Sequence, residues 1–448
     1  MAPNLLGTLL GSLQVFSPAL TAPGYRNMLV VFAGWVLTRG THAITQTLVE
    51  TSVAGRVHHE RFHRFFSRGT WNPDALAHLV FERILCLLPP DCPVWVAVDD
   101  TLAPKKGPHV FGIGTHIDAV RSTRKTRIFC FGHCWVVLAV IVPLPFSRRA
   151  WALPLLFRLY RSKKECAAKD AIYRKKTELA RDMLDVLAGW VGQRRVNVTA
   201  DSAYCNSTVT RYLPSNLVLY GSMRPDAVLT DLPVPRPGAR GRPRIRGATL
   251  PKPRDIARDS NIPWQVCYAM LYGVFRTVRY KTIRAQWYRA CGAQLLTIVI
   301  VKVNSGDIAF RVFLCMDTTA MVEQILECYA GRWSIEVCFR EMKQDLGFAD
   351  SAARKAAAVE RTAPFVGLIY TTLVLWFTEH ARYNLLSAPP VRPWYPHKRG
   401  HSFADVLRTA QRVLGPHDIL DLASGPGDLQ KSRGHPATQH RRPTRPSG

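Results

Sequence analysis

The segment Tyr329-Ala-Gly-Arg332-Trp333-Ser-Ile-Glu336-Val-Cys-Phe-Arg340-Glu-Met-Lys343 constrains this chain more than any other. At about 100° per residue on a helix, Tyr329, Arg332, Glu336 and Lys343 fall within about 60° of one another on one face. Glu323, Glu327 and Glu341 point elsewhere. One carboxylate framed by two cations and a phenol suits a site that holds a metal and grips phosphates. Mixed charge on a solvated helix gives the same alignment often enough that the segment needs support from the rest of the chain.

That support comes from two short apolar runs. Pro93-Val-Trp95-Val-Ala-Val98 reads as a buried strand and ends in Asp99-Asp100-Thr101. Arg195-Val-Asn-Val198-Thr-Ala reads as another and ends in Asp201. Acids are scarce, 32 Asp and Glu against 60 Lys and Arg, so two of them directly after buried strands stand out. An unpaired carboxylate is costly to bury. Each Asp taken singly could open a turn or cap a helix. Asp99 and Asp100, as strand neighbours, face opposite sides and cannot both aim at one metal. Three carboxylates converging without His or Cys suit a hard divalent cation such as Mg2+.

The set Asp99-x-Thr101, Asp201 and Tyr329-x2-Arg332-x3-Glu336-x6-Lys343 resembles the bacterial insertion-sequence transposases that carry a DDE triad and a Tyr-Arg-Glu-Lys helix. The resemblance covers roughly residues 50 to 385. It implies a catalytic, metal-binding triad of Asp99, Asp201 and Glu336. The family's Asp-x-Ser/Thr pattern selects Asp99 as the first ligand, whereas alignment as an acid pair before Thr selects Asp100. It also implies two Mg2+ ions, with Mn2+ as substitute, acting in an in-line displacement at phosphorus. Tyr329, Arg332 and Lys343 would hold transposon-end phosphates, and Trp333 would stack on DNA or pack in the core. The implied fold is α/β: a ribonuclease H-like mixed sheet with flanking helices, interrupted by a β-rich insertion, plus an N-terminal helical domain. The 135 residues between Asp201 and Glu336 accommodate such an insertion. Relatives use an insertion aromatic to hold a flipped base; no local motif decides whether Trp287, Trp264 or neither does so.

Composition fits a polyanionic partner. The formal charge of +28 and pI near 10.1 exceed what solubility needs and point to nucleic acid. No segment reads as a membrane anchor. The longest apolar run, 134–145, is too short and contains Pro143, and the run 365–377 is interrupted by Thr371 and Thr372. The N-terminus lacks the basic region of a secretory signal. The 11 cysteines are scattered, with no CxxC pair and no zinc spacing, as in a reduced, cytosolic protein. Cys130, His133 and Cys134 share an apolar strand and read as core.

The chain divides into five regions. Residues 1–90 form a helical DNA-binding domain, in which His58 to Trp71 interleaves basic and aromatic residues suited to phosphate contact. Residues 91–224 form the first part of the catalytic domain, with strands at 94–98, 127–137 and 138–145, one long helix at 163–191, and a fifth strand at 217–223. Lys105 and Lys106 follow the first acid in a loop that either reaches DNA or is solvated. Residues 225–315 form the β-rich insertion, with strands at 273–280, 295–303 and 310–315. Its basic loop, from Arg236 through Arg240, Arg242, Arg244 and Arg246 to Arg254, is concentrated enough to follow a phosphate backbone. Residues 316–388 complete the catalytic domain. Residues 389–448 read as a basic flexible tail ending in Lys431, Arg441, Arg442 and Arg445, with 403–414 as a possible helix.

The expectation is a cut-and-paste DNA transposase working as a homodimer on double-stranded DNA, at element ends and target, without a membrane, in the bacterial cytoplasm at the nucleoid. Two alternatives share these residues: a ribonuclease H-like nuclease that does not join, and a catalytically inactive transposase-derived DNA-binding regulator.

Overall fold

The computed structural model describes residues 4–107, 109–123, 125–234, 242–305, 308–382, 389–391 and 393–423. Arg236 and Arg240 of the basic loop, and Lys431, Arg441, Arg442 and Arg445 of the tail, lie outside them. Five helices lead the chain: α1 (Leu5–Gln14), α2 (Ala22–Leu37), α3 (Ile44–Glu50), α4 (Glu60–Ser67) and α5 (Pro73–Leu85). Local chemistry sets α5, where Asn72 caps the Asp74 amide at 2.8 Å and Pro73 occupies the first turn.

The run Val-Trp-Val-Ala-Val opens β1 (Val94–Pro104), and β2 (Gly114–Ile117) follows. The apolar stretch expected to hold two strands is one, β3 (Phe129–Pro143). The true third strand is β4 (Ala150–Tyr160), which pairs antiparallel with β3. The register slips between Leu138 and Ala139, opposite Pro154. A proline lacks the N–H that a regular ladder requires, so strand prolines favour such irregular positions.

The single long helix expected at 163–191 is likewise two, α6 (Lys163–Ala168) and α7 (Lys176–Val191). Asp170 between them has φ +47°, which no helix continues through. Then come β5 (Val196–Ala200), the short α8 (Ser207–Thr210) and β6 (Leu217–Ser222). The order β4-β3-β1-β5-β6, with β1, β3 and β4 antiparallel and β5 and β6 parallel to β1, is that of a ribonuclease H-like sheet.

The intervening segment contributes β7 (Leu229–Thr230), β8 (Thr249–Leu250), α9 (Pro253–Arg258), β9 (Gln265–Leu271), β10 (Val274–Gln286), α10 (Tyr288–Cys291), β11 (Leu295–Ser305) and β12 (Ile308–Cys315). It continues the same sheet, because β12 pairs with β6 through Phe313–Ser222 and Cys315–Tyr220. The result is one twelve-stranded sheet among the described residues.

The chain then returns across the sheet in α11 (Val322–Gly331) and α12 (Trp333–Asp345), followed by α13 (Ala356–Arg382), α14 (Phe403–Leu414) and α15 (Ile419–Ala423). The last two helices are docked: Phe403 stacks on Tyr370 with ring centroids 4.3 Å apart, and Gln411 donates to the Val36 carbonyl at 2.9 Å. No helix among the described residues is long and apolar enough to cross a membrane.

The α13 helix joins the N-terminal helices to the sheet. Its Phe365 is 1% exposed and sits among Trp35, Phe65, Phe66 and Trp71, the nearest centroid 5.3 Å away. Arg361 donates to the Phe66 carbonyl at 2.9 Å, and Thr371 to the Pro154 carbonyl of β4 at 3.0 Å. Truncating Phe365 to alanine should therefore cost about 3–5 kcal/mol, since four aromatic neighbours cannot collapse into the space. Urea unfolding of Phe365→Ala checks this, and a loss below about 1 kcal/mol would contradict the packing described.

Candidate active site

The acids arrive on neighbouring strands. β1 and β5 run parallel, with Val98 opposite Ala200, so Asp99 and Asp201 leave the same end of adjacent strands. Asp201 opens a tight turn: its Oδ1 accepts from the Ala203 amide at 2.9 Å, and its carbonyl accepts from the Tyr204 and Cys205 amides at 3.2 Å. Gly221 on β6 makes room for that turn, because a Cβ there would lie 2.2 Å from the Cys205 sulfur.

The two residues of the Asp pair face opposite ways, as strand geometry requires. Asp100 is committed on one side of the sheet. Its Oδ2 accepts from Lys176 Nζ at 2.6 Å, its Oδ1 from the Tyr204 hydroxyl at 2.8 Å, and the Cys134 thiol lies 3.4 Å away. Tyr204 belongs to the Asp201 turn, so Asp100 ties that turn to β1. Asp99 faces the other side, towards α12, where Arg332 Nη1 donates to its Oδ2 at 2.6 Å.

The same guanidinium reaches Glu336, with Nη2 donating to Oε1 at 2.7 Å. Arg332 is thus a two-armed bridge between the first and third acids. Its side chain is 13% exposed, and Nε is buried without a hydrogen-bond partner. The expected continuous helix from Tyr329 to Lys343 is broken at this residue. α11 ends and α12 begins at Arg332, with i to i+3 hydrogen bonds from the Arg332 amide to Tyr329 (3.2 Å) and from the Ile335 amide to Arg332 (3.0 Å). Glu336 falls in the first turn of α12, where the helix dipole favours a carboxylate.

Across the break Tyr329 stays beside Arg332, whose guanidinium lies 5.6 Å from its ring, and the ring also packs on Phe313 of β12, centroids 4.6 Å apart. Lys343 is exposed two turns beyond Glu336 and interacts electrostatically with Asp118. Trp333 is 51% exposed, so it is a surface ring. Glu341 turns away to Arg149 (2.8 Å) and Tyr370 (2.7 Å), and Glu327 accepts from the Met270 amide, as the helix geometry predicted.

Burial pushes the Asp99 carboxyl up to about 7; Arg332 pulls it back and Asp201 raises it again. Burial opposes the charge on Arg332, but its two carboxylates hold its pKa above the ordinary value. For Asp99, the guanidinium does not offset the burial. Among the described residues, no three His, Cys, Asp or Glu side chains are drawn together closely enough to hold a metal ion. The donor chemistry of Asp99, Asp201 and Glu336 nonetheless fits a hard divalent cation, since every donor is a carboxylate oxygen and a cation is already drawn between two of them.

Beside this constellation runs a groove of about 770 Å³. Arginines 148, 149, 311, 332 and 340 line it, together with Trp333 and, from the tip of the β9–β10 hairpin, Tyr272. Four of these arginines were not singled out in the sequence. Only Arg340 carried a signal there, one helical turn after Glu336.

The remaining candidates lie elsewhere. Arg242 and Arg244 are exposed in the connection between β7 and β8, strands at the far edge of the sheet order from β1. Lys105 is half-buried, its ammonium held by the Ala349 and Ser351 carbonyls at 2.8 and 2.7 Å. Lys106 is exposed. Trp264 and Trp287 are half-buried against the core, and Trp264 lies under Lys281 at 4.7 Å. His133 is bonded to the Phe111 carbonyl at 2.9 Å and Cys134 is buried, so both are core, whereas Cys130 is half-buried between the exposed Phe129 and Phe131 at the start of β3.

The raised Asp99 value has a sign. Folding favours the protonated acid, so its contribution to stability is full below the ordinary value of 3.8 and lost as pH rises through about 7. Without divalent ions, the stability of Asp99→Asn relative to the native chain should shift in the variant's favour between about pH 4 and pH 8. Thermal unfolding across that range measures it, and an unchanged difference would contradict the shift.

No curated protein sequence matches the chain. One similar solved structure is the piggyBac transposase synaptic complex with hairpin DNA, at 10% identity and a TM-score of 0.43, covering 94% of this chain and 78% of that one. The family profile described as DDE superfamily endonuclease matches residues 15–291, more than half of the chain, and includes Asp99 and Asp201 while ending before Glu336. The chain belongs to the DDE superfamily endonuclease family.

Proposed function

We propose that this protein is a DNA transposase of the insertion-sequence type, which cleaves the ends of a mobile element and joins them to target DNA. The observation that carries the reading is the bridge from Asp99 to Glu336 through Arg332, beside Asp201 and at the edge of an arginine-lined groove. Asp99, rather than Asp100, is assigned as the first ligand, because Asp100 is already satisfied by Lys176 and Tyr204. A divalent cation, Mg2+ or in its place Mn2+, probed as one or two ions, would be held by Asp99, Asp201 and Glu336. Such ions activate the attacking oxygen and stabilise the leaving oxygen of an in-line displacement at phosphorus.

This chain's own residues supply the rest. Arg148, Arg311 and Arg340 neutralise backbone phosphates along the groove, and Trp333 and Tyr272 offer faces on which bases stack. Lys343 holds a phosphate near the β2–β3 end. The Asp100–Tyr204–Lys176 network keeps the Asp201 turn at a fixed distance from β1. Arg242 and Arg244, exposed in the β7–β8 connection, would hold a further stretch of the DNA backbone. Two element ends must be brought together, so the working form is a homodimer on double-stranded DNA, in a bacterial cytoplasm at the nucleoid.

The test is a cleavage and joining assay with Mg2+ or Mn2+ on the DNA that flanks this gene. Cutting at element ends followed by joining to target is expected. Glu336→Gln should reduce cleavage by roughly 10²-fold or more while leaving DNA binding in place. Lys343→Ala should weaken binding and lower its salt slope by about one unit. Cutting without joining would favour the nuclease, and metal-independent binding without cutting the inactive regulator. Intact cleavage in Glu336→Gln would remove Glu336 from the triad.

A further inference from the structure

We propose that Arg332 is a latch: in the DNA-free chain its guanidinium occupies the place between Asp99 and Glu336 and keeps divalent cation out until a DNA phosphate draws it away. The inference rests on the assignment of Asp99, Asp201 and Glu336 as the metal site and adds a regulation of it.

Three observations support it. First, the two arms of Arg332 lie 2.6 Å from Asp99 and 2.7 Å from Glu336, so a guanidinium and a metal ion cannot both serve these oxygens. Second, the bridge is not the most favourable state open to an arginine. Its Nε is buried without a partner, which leaves a donor that a phosphate could satisfy. Third, Arg332 lines the groove as well as the acid site, together with Tyr329 and Trp333, so an anion in the groove can reach it. Arg332 also sits where α11 ends and α12 begins, and its rotation need not disturb a helix interior.

The consequence is thermodynamic coupling. If phosphate and carboxylates compete for one guanidinium, DNA strengthens cation binding, and cation strengthens DNA binding by the same factor. A DNA-free protein then holds little metal, and the site assembles only on its substrate.

The experiment is Mn2+ binding to the DNA-free full chain, followed by electron paramagnetic resonance of the free ion. Four forms are compared: native, Arg332→Gln, Arg340→Gln and the double variant Asp99→Asn/Arg332→Gln. Arg332→Gln is expected to bind Mn2+ at least tenfold more tightly than native. Arg340→Gln removes a charge one turn beyond Glu336 without opening the bridge, and is expected to differ from native by less than threefold. The double variant should lose the gain. Should Arg332→Gln fail to fold, Arg332→Lys replaces it, keeping the charge but losing the fork, and a severalfold gain is expected. Equal binding by native and Arg332→Gln, abolished in the double variant, would overturn the latch while leaving the metal site standing. An Arg340→Gln gain equal to that of Arg332→Gln would reduce the effect to net charge and overturn the latch. No Mn2+ bound by any form at millimolar concentration would overturn both the latch and the site.

Discussion

Carboxylates gathered at the end of buried strands repel one another and lose hydration, and here the local offset is one planar guanidinium. Arg332 satisfies Asp99 and Glu336 at once, so it fixes α12 against β1 as firmly as it neutralises the acids. Its position depends on the break between α11 and α12. α11 lies over β9, β6 and β12, with Tyr329 on Phe313, whereas α12 lies over β4 and β1. The sheet therefore sets the site from both sides: the insertion strands hold the helix before Arg332, and the ribonuclease H-like strands hold the helix after it.

A second polar cluster lies on the opposite face of the same strand. Lys176 and Tyr204 close on Asp100, and Tyr204 belongs to the turn that Asp201 begins. Breaking either partner would leave a partly buried charge short of compensation, which is usually more costly than the intact pair is favourable. Adjacent residues of β1 thus face two different partners. Asp99 faces α12 and Arg332 and has a pKa raised by burial, while Asp100 is fully engaged in holding the turn. This division gives a physical reason for preferring Asp99 as a ligand, independent of any motif.

Much of this was legible in the sequence because the signals were local. The runs before Asp99 and Asp201 are β-branched and apolar, and each stops at an acid; both are strands, on adjacent parallel positions. The helix after Arg332 was legible from its periodicity. β4 was not, because Ala-Trp-Ala-Leu-Pro-Leu-Leu carries a proline and leucines that fit no alternation, and its strand state is imposed by pairing with β3. The break at Arg332 had one local sign, Gly331, a poor helix former, but nothing in the spacing gave it priority over a continuous helix. The inward turn of Arg332 depends on a carboxylate 233 positions away, which no local pattern encodes. The groove arginines on β12 and before β4 become neighbours only through the sheet.

The most direct measurement is a crystal structure of the chain with Mn2+ and a DNA duplex carrying a free 3′ end, with the ion located by its anomalous signal. The account predicts a peak ligated by oxygens of Asp99, Asp201 and Glu336 at about 2.0–2.4 Å, with Arg332 released from its bridge and turned to a phosphate. A peak on Asp100, or Mn2+ bound elsewhere with Arg332 still joining Asp99 to Glu336, would contradict it.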